Sequence, residues 1–220
     1  MGGALTKRKG RLKISKAFSD DFEEKIKERI MANKKSTKDV PAQSDGKAPA
    51  HGELANNKVH IFVDDQNLFY GITNQIGNRG YRIDFGRLLT YAAKDFLNKD
   101  RFVKTAFIAG VIPDDDTFWQ KAQKEGFKVK RGYLANGTSK CDDSYLVAEI
   151  METIYEEESP STIVLIAGDA DYIPPLEKAL KKGWRVEVFF IDKGKASNLE
   201  NYVHLFRTLN HSAVQYIPQK

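Results

Sequence analysis

The chain has 220 residues, of which 41% are apolar and 30% are charged, and its formal net charge is +5. This composition is typical of a soluble globular chain with one or two domains. Cys141 is the only cysteine, which excludes an internal disulfide and a metal cage built from several cysteines. No stretch reaches the roughly 18 apolar residues of a transmembrane segment, and no secretory signal is recognisable, so we expect a cytoplasmic protein.

The basic excess lies entirely in the N-terminal quarter. Residues 1–55 contain 13 Lys and Arg against 8 Asp and Glu, whereas residues 56–220 contain 22 of each. We therefore expect residues 1–57 to form a basic extension. Its start, MGGALT, fits a myristoylation pattern, but the pattern is short, and small residues after an initiating Met are the preferred explanation.

An amphipathic helix is predicted at about residues 18–32 of this extension. Four apolar residues recur every fourth position and form one stripe: Phe18, Phe22, Ile26 and Ile30. Residues 33–57 are rich in Lys, Ser, Pro, Ala and Gly without periodicity, which is typical of a flexible linker. A helix this short requires a docking surface, on the main domain or on a protein partner.

From Lys58 onwards, strand-like and helix-like patterns alternate. The strand-like runs are KVHIFVD, FVKTAFIAGVI, FKVKRGYL, TIVLIAG and WRVEVFFI, and helical spacing follows each of them, ending with SNLENYVHLF. About five strands alternating with helices predict an α/β domain over residues 58–220, a three-layer sandwich with a central parallel sheet and helices on both faces.

Pairs of aspartates follow three of these runs. In open parallel sheets, ligands bind beyond the carboxyl ends of the strands, so these pairs should converge: Asp64 with Asp65, Asp142 with Asp143, and Asp169 with Asp171. Helix capping or the helix dipole explains one aspartate of each pair. Two carboxylates about 4 Å apart repel by roughly 4 kcal/mol at an effective dielectric of 20. Several together therefore require a cation, and Mg²⁺ or Mn²⁺ suits carboxylate ligands.

Three segments together resemble the NYN domain, a branch of the PIN-like nucleases. They are IFVDDQNLFYG, SKCDDSYLVAEI and LIAGDADYIPPLEKALKKGWRVEVF, in the order and spacing of that family. The resemblance implies a PIN-like fold whose clustered aspartates bind Mg²⁺ or Mn²⁺ and cleave RNA. It assigns metal binding to Asp64, Asp143, Asp169 and Asp171, and a catalytic role in orienting a ligand or substrate to Asn67.

Three positions depart from the family pattern. Asp65 and Cys141 stand where the family usually has glycine, and Pro175 follows Pro174 where one proline is usual. Of each adjacent aspartate pair, we expect Asp65 and Asp142 to be the dispensable members, with Asp65 solvated. Glu149 aligns with a second acidic position of the middle helix but lies about 240° around that helix from Asp143.

Phosphate contacts and partners are predicted from charge. The candidates for holding the RNA backbone are Lys140, Lys193, Lys195, Arg79 and Arg82. The basic extension would add non-specific affinity for single-stranded or structured RNA. A homo-oligomer is compatible with the sequence.

Two other functional classes stay open. One is an NYN-type scaffold that binds RNA or regulates without catalysis. The other is a Toprim-like or dehalogenase-like phosphoryl-transfer enzyme. A Toprim domain would carry Glu at the first strand's end, where Asp64 stands. A dehalogenase would carry Asp-x-Asp there, whereas Asp64 and Asp65 are adjacent.

Overall fold

The computed structural model describes residues 57–111, 116–135, 138–191 and 194–218. The predicted helix at 18–32, the linker and Lys193 lie outside the described residues. Six helices are described: α1 (Asp65–Ile76), α2 (Phe85–Ala93), α3 (Asp116–Lys124), α4 (Asp142–Glu156), α5 (Ile173–Lys181) and α6 (His211–Val214). Two 3₁₀ helices cover Ala170–Tyr172 and Leu199–Tyr202.

Ten strands are described, and six of them form one parallel sheet. The strands are β1 (Lys58–Asp64), β2 (Tyr81–Ile83), β3 (Phe102–Gly110), β4 (Lys128–Arg131), β5 (Tyr133–Ala135), β6 (Thr138–Lys140), β7 (Thr162–Ile166), β8 (Arg185–Phe190), β9 (Leu205–Thr208) and β10 (Tyr216–Pro218). The sheet order is β4-β3-β1-β7-β8-β9, and every neighbouring pair is parallel. The predicted α/β architecture with a central parallel sheet is confirmed.

The sheet separates two apolar cores, as alternation along its central strand requires. On β1, Ile61 and Val63 face the core formed with α1, α2 and α3, whereas Phe62 faces the core formed with α4 and α5. Because β1 and β7 are central and buried on both faces, their continuous apolar runs fit parallel strands. Their carboxyl ends therefore open on one edge, where Asp64 and the segment 167–172 meet.

Two of the predicted elements are wrong. The segment SNLENYVHLF was predicted as a helix, but it forms the 3₁₀ helix at Leu199–Tyr202 and then enters β9. This adds a sixth strand, paired with β8. The run FKVKRGYL was predicted as one strand, but it divides at Gly132 into β4 and β5, and β5 pairs with β6 in an antiparallel hairpin. Within the described residues, no helix is long and apolar enough to cross a membrane.

Candidate active site

The carboxyl groups of Asp64 and Asp143 meet at the hydroxyl of Tyr172. This hydroxyl donates a hydrogen bond to Asp64 Oδ2 at 2.8 Å and lies 3.3 Å from Asp143 Oδ1. The Tyr172 hydroxyl therefore lies between the two carboxyl groups. Asp64 ends β1 and caps α1, because its Oδ1 accepts the backbone N–H of Asn67 at 2.9 Å. Three separate elements thus bring the groups together.

This pair carries unfavourable negative charge. Burial raises the pKa of Asp64 to about 7, and the charges of Asp143 and Asp142 contribute in the same direction. Burial also raises the pKa of Asp143, assisted by Asp142 and Asp169. The pKa of Tyr172 rises because the ring is buried beside both carboxylates, so its hydroxyl stays protonated and remains a donor. The site therefore favours a proton or a cation between the carboxylates.

Asp142 lies at the start of α4 beside Asp143, and its charge raises the pKa of both Asp64 and Asp143. Its side chain is buried, and its Oδ2 has no hydrogen-bond partner among the described residues. A buried carboxylate oxygen without a partner is costly, because its hydration is lost and not replaced. Asp142 is therefore a further acceptor directed into the protein beside Asp143.

Asp169 and Asp171 follow β7 but are more exposed than Asp64. Asp169 Oδ1 accepts the backbone N–H of Asp171 at 3.0 Å and caps the 3₁₀ helix at Ala170–Tyr172. Asp169 is near enough to Asp143 for its charge to raise the pKa of that residue. The structure thus brings Asp64, Asp142 and Asp143 together, with Asp169 beside them, whereas Asp171 supplies the backbone donor of the cap.

Asn67 ties the first acidic segment to the last. Its Oδ1 accepts the backbone N–H of Gly168 at 2.7 Å, so α1 and the end of β7 are held together. Gly168 has no room for a side chain, because a Cβ atom there would lie 2.3 Å from the ring of Phe190. These contacts fix the path of the chain into Asp169, which gives Asn67 a positioning role in the structure.

Asp65 is buried, so the prediction that it is solvated is wrong. It forms a salt bridge with Arg82 at 3.1 Å, and the Arg82 guanidinium stacks on Phe69 and Phe118 at 4.1 and 4.8 Å from the ring centroids. Burial raises the pKa of Asp65 to about 6 against the opposing effect of Arg82. Arg82, a candidate phosphate contact from the sequence, pairs with Asp65 in the structure, and its side chain is only 14% exposed.

The chemistry of the acidic cluster fits a hard divalent cation. Within the described residues, no three His, Cys, Asp or Glu side chains form a preassembled metal cage. Asp64 and Asp143 nevertheless direct carboxylate oxygens at the same Tyr172 hydroxyl, at 2.8 and 3.3 Å. Each carboxylate has about four lone-pair sites, so the hydrogen bonds to Asn67 and Tyr172 leave acceptor capacity for a cation. Oxygen-only ligands of this kind suit Mg²⁺ or Mn²⁺.

Comparison with family models matches residues 58–210 to the NYN domain. The chain belongs to the NYN domain family. A solved structure of a protein of unknown function from Vibrio parahaemolyticus RIMD 2210633 is similar in fold, with a TM-score of 0.59 and 18% sequence identity. The match covers 79% of this chain and 99% of that one. Comparison with curated proteins finds no match. Together, the family match and the sheet identify a PIN-like nuclease-type fold.

The predicted phosphate contacts of the NYN domain occupy different surroundings. Arg79 is exposed on the turn after α1. Lys195 lies against Gly168 through its backbone, but its Nζ pairs with Glu200 and stacks on Phe206. The side chain of Lys140 lies outside the described residues. Glu149 forms an ion pair with Lys128 at 2.9 Å, on a different side of α4 from Asp143.

Cys141 adopts a backbone conformation that favours glycine. Its φ is +68°, immediately before α4, at a position where the NYN family usually has glycine. A side chain in this left-handed region costs roughly 1–2 kcal/mol. We expect the free energy of unfolding of Cys141→Gly to be about 1 kcal/mol higher than that of Cys141→Ala, because glycine avoids the left-handed strain. The greater conformational freedom of glycine in the unfolded state offsets part of this stabilisation. Urea denaturation measures the difference. Both variants remove the thiol, so equal stabilities would show that this strain is absent.

Proposed function

We propose that this NYN domain is a metal-dependent ribonuclease that hydrolyses RNA phosphodiester bonds at the Asp64–Asp143 pair. One observation supports this proposal above the others: two carboxyl groups from distant elements share one hydroxyl, with the pKa of both raised. A fold that needed only helix caps would not place a second carboxylate beside the buried Asp64. Membership of the family sets aside the Toprim-like and dehalogenase-like alternatives.

The residues of the chain would share the work as follows. Asp64 and Asp143 would hold Mg²⁺ or Mn²⁺ directly, with Asp142 and Asp169 beside them and Asp171 acting through water. When bound, the cation activates a water molecule and neutralises charge on the phosphodiester oxygens. Tyr172 would hold both carboxylates in place, and Asn67 would keep the Asp169 segment against α1. The basic extension would supply non-specific affinity for RNA, and a reducing cytoplasmic location suits the single cysteine.

Removing the metal tests this proposal. The purified full chain is incubated with end-labelled single-stranded and hairpin RNA in Mn²⁺, Mg²⁺, Ca²⁺ or EDTA. We expect cleavage with Mn²⁺ or Mg²⁺, a loss of at least about a hundredfold in EDTA, and recovery when excess Mn²⁺ is added back, because activation of water depends on the cation. Cleavage that continues undiminished in EDTA would contradict a metal-dependent mechanism.

The second candidate is an RNA-binding scaffold without catalysis. It is favoured by the cap at Asp169, which uses one of that residue's carboxylate oxygens for the backbone, and by the lack of a preassembled cage among the described residues. The same incubation separates the two candidates. RNA that is bound in every buffer but stays intact with both Mn²⁺ and Mg²⁺ would establish the scaffold instead of the nuclease.

A further inference from the structure

A basic and aromatic surface adjoins the acidic cluster along one border of the sheet. We call it the Tyr133 platform and define it by Lys130, Tyr133, Leu134 and Tyr145. It begins on β4, the outermost strand of the described sheet on that side. Lys130 is exposed there on the face of α4, whereas the next residue, Arg131, lies 6.0 Å from the ring centroid of Trp119 on the opposite face. It continues onto the β5–β6 hairpin, where Tyr133 is 56% exposed and Leu134 is 46% exposed.

Strand pairing and stacking place this platform beside the acidic residues. Tyr133 pairs with Lys140 across the β5–β6 hairpin, and Lys140 lies two residues before Asp142. The Lys130 Nζ lies 4.7 Å from the ring centroid of Tyr145, which lies in the first turn of α4 with Asp142 and Asp143. The exposed ring of Tyr133 is therefore held at the start of α4, next to Asp142 and Asp143.

A folding role alone does not explain this combination. Lysine and arginine on an outer strand are a common protection against edge-to-edge pairing, and that accounts for the charges of β4. It does not account for a tyrosine and a leucine, both about half exposed, following directly on the hairpin. Exposed apolar side chains such as Tyr133 and Leu134 favour association and do not prevent it. Next to basic residues, they suit a ligand that has both flat apolar surfaces and negative charge.

We propose that the Tyr133 platform binds the RNA strand next to the scissile phosphate, with a base stacked on Tyr133 and a phosphate near Lys130. This inference rests on RNA being the substrate of the acidic site. An acidic cluster repels the flanking phosphates, so neighbouring cations are needed to hold the strand across it. Stacking on an aromatic ring requires an unpaired base but no particular sequence. The platform therefore selects single-stranded RNA in preference to a fully paired duplex.

The test measures RNA binding separately from cleavage. A fluorescein-labelled single-stranded 12-mer is titrated with the full chain in Ca²⁺ or EDTA, and anisotropy gives the Kd. We expect Tyr133→Ala to weaken binding about tenfold, and Tyr133→Phe to stay within about twofold of the wild type because the ring is kept. Lys130→Gln should lower the slope of log K against log salt by about 1.

Tyr155 offers a matched control on the same helix. It is 53% exposed beside Lys178 and Lys182, but it lies about 18 Å along α4 from Asp143. Tyr155→Ala should leave the Kd unchanged. Equal losses for both alanine variants, or none for Tyr133→Ala, would overturn the platform.

The outcomes also separate this inference from the proposed nuclease. If the wild type cleaves RNA and Tyr133→Ala binds RNA as tightly as the wild type, the platform proposal is wrong and the nuclease proposal stands. If Tyr133→Ala weakens binding but the wild type cleaves no RNA, the nuclease proposal is wrong and the platform proposal stands. Self-association that is abolished by Tyr133→Ala while RNA binding is unaffected would assign this surface to a protein contact and overturn the proposal.

Discussion

Replacing Asp64 with asparagine is expected to lower RNA cleavage by at least about a hundredfold while the protein stays folded. Asparagine keeps the shape of the side chain, and its Oδ1 can still accept the backbone N–H of Asn67. Its amide nitrogen replaces Oδ2 and donates to the Tyr172 hydroxyl, which can still donate to Asp143. The substitution removes the charge that would hold the cation, and metal-assisted stabilisation of the transition state is worth several kcal/mol. Each 1.4 kcal/mol corresponds to about tenfold in rate, so a loss of two orders of magnitude follows. Single-turnover cleavage assays in Mn²⁺ measure it.

Thermal denaturation provides an independent measurement for the same variant. At pH 8 without metal, Asp64→Asn should melt at or above the wild-type temperature, because the variant no longer buries an ionised carboxylate beside Asp143. Added Mn²⁺ should raise the melting temperature of the wild type but not that of Asp64→Asn. Asp100→Asn is the matched control, since Asp100 is an exposed carboxylate paired with Lys94. Full activity of Asp64→Asn would exclude Asp64 from catalysis.

The course of the central strands could be predicted from the sequence because burial on both faces leaves a local signal. The runs around Phe62 and Leu165 are apolar without interruption, and each ends at a turn that carries an aspartate. Because strands that alternate with helices are parallel, the carboxyl ends of β1 and β7 lie on the same edge of the sheet. The position of Asp64 at that edge therefore followed from local pattern and topology alone.

Contacts between distant residues could not be predicted in the same way. Tyr172 contacts Asp64 across 108 residues, and Arg82 reaches Asp65 from a three-residue strand that has no clear periodicity. A buried charge always requires a partner, so the error at Asp65 was to assume water as that partner. A signal for Tyr172 did exist, since an aromatic residue directly after Asp-x-Asp continues an apolar segment into the site.

The helix predicted for SNLENYVHLF was wrong because the spacing of its apolar residues fits both an α-helix and the observed 3₁₀ helix followed by a strand. Leu199 and Val203 are four residues apart and both are buried, which a helix would explain. In the structure they anchor the 3₁₀ helix and the entry to β9, and β9 gains its stability from pairing with β8. Periodicity over so few residues does not report a strand whose partner lies elsewhere in the chain.

Replacing Arg101 with methionine is expected to lower the free energy of unfolding by about 3–5 kcal/mol. Arg101 and Glu187 form a bidentate salt bridge at 3.0 and 3.1 Å, and both side chains are almost fully buried. Arg101 also donates to the backbone carbonyl groups of Ala92, Ala93 and Lys94 and so closes the end of α2. Without Arg101, Glu187 would keep only the half-buried Arg185, and these carbonyls would lose their donor. Urea denaturation measures the loss.

A double variant distinguishes the loss of the contacts made by Arg101 from the cost of leaving Glu187 charged and buried without its partner. If the damage comes mainly from leaving Glu187 buried without its partner, Arg101→Met combined with Glu187→Leu should recover a substantial part of the stability lost in Arg101→Met. The exposed pair of Lys94 and Asp100 is the control, and Asp100→Asn should cost less than about 1 kcal/mol. If Arg101→Met costs no more than that control, the buried pair is not a determinant of stability. If the stability lost in the double variant equals the sum of the losses in the two single variants, the contacts of Arg101 with the backbone carbonyl groups account for the effect instead.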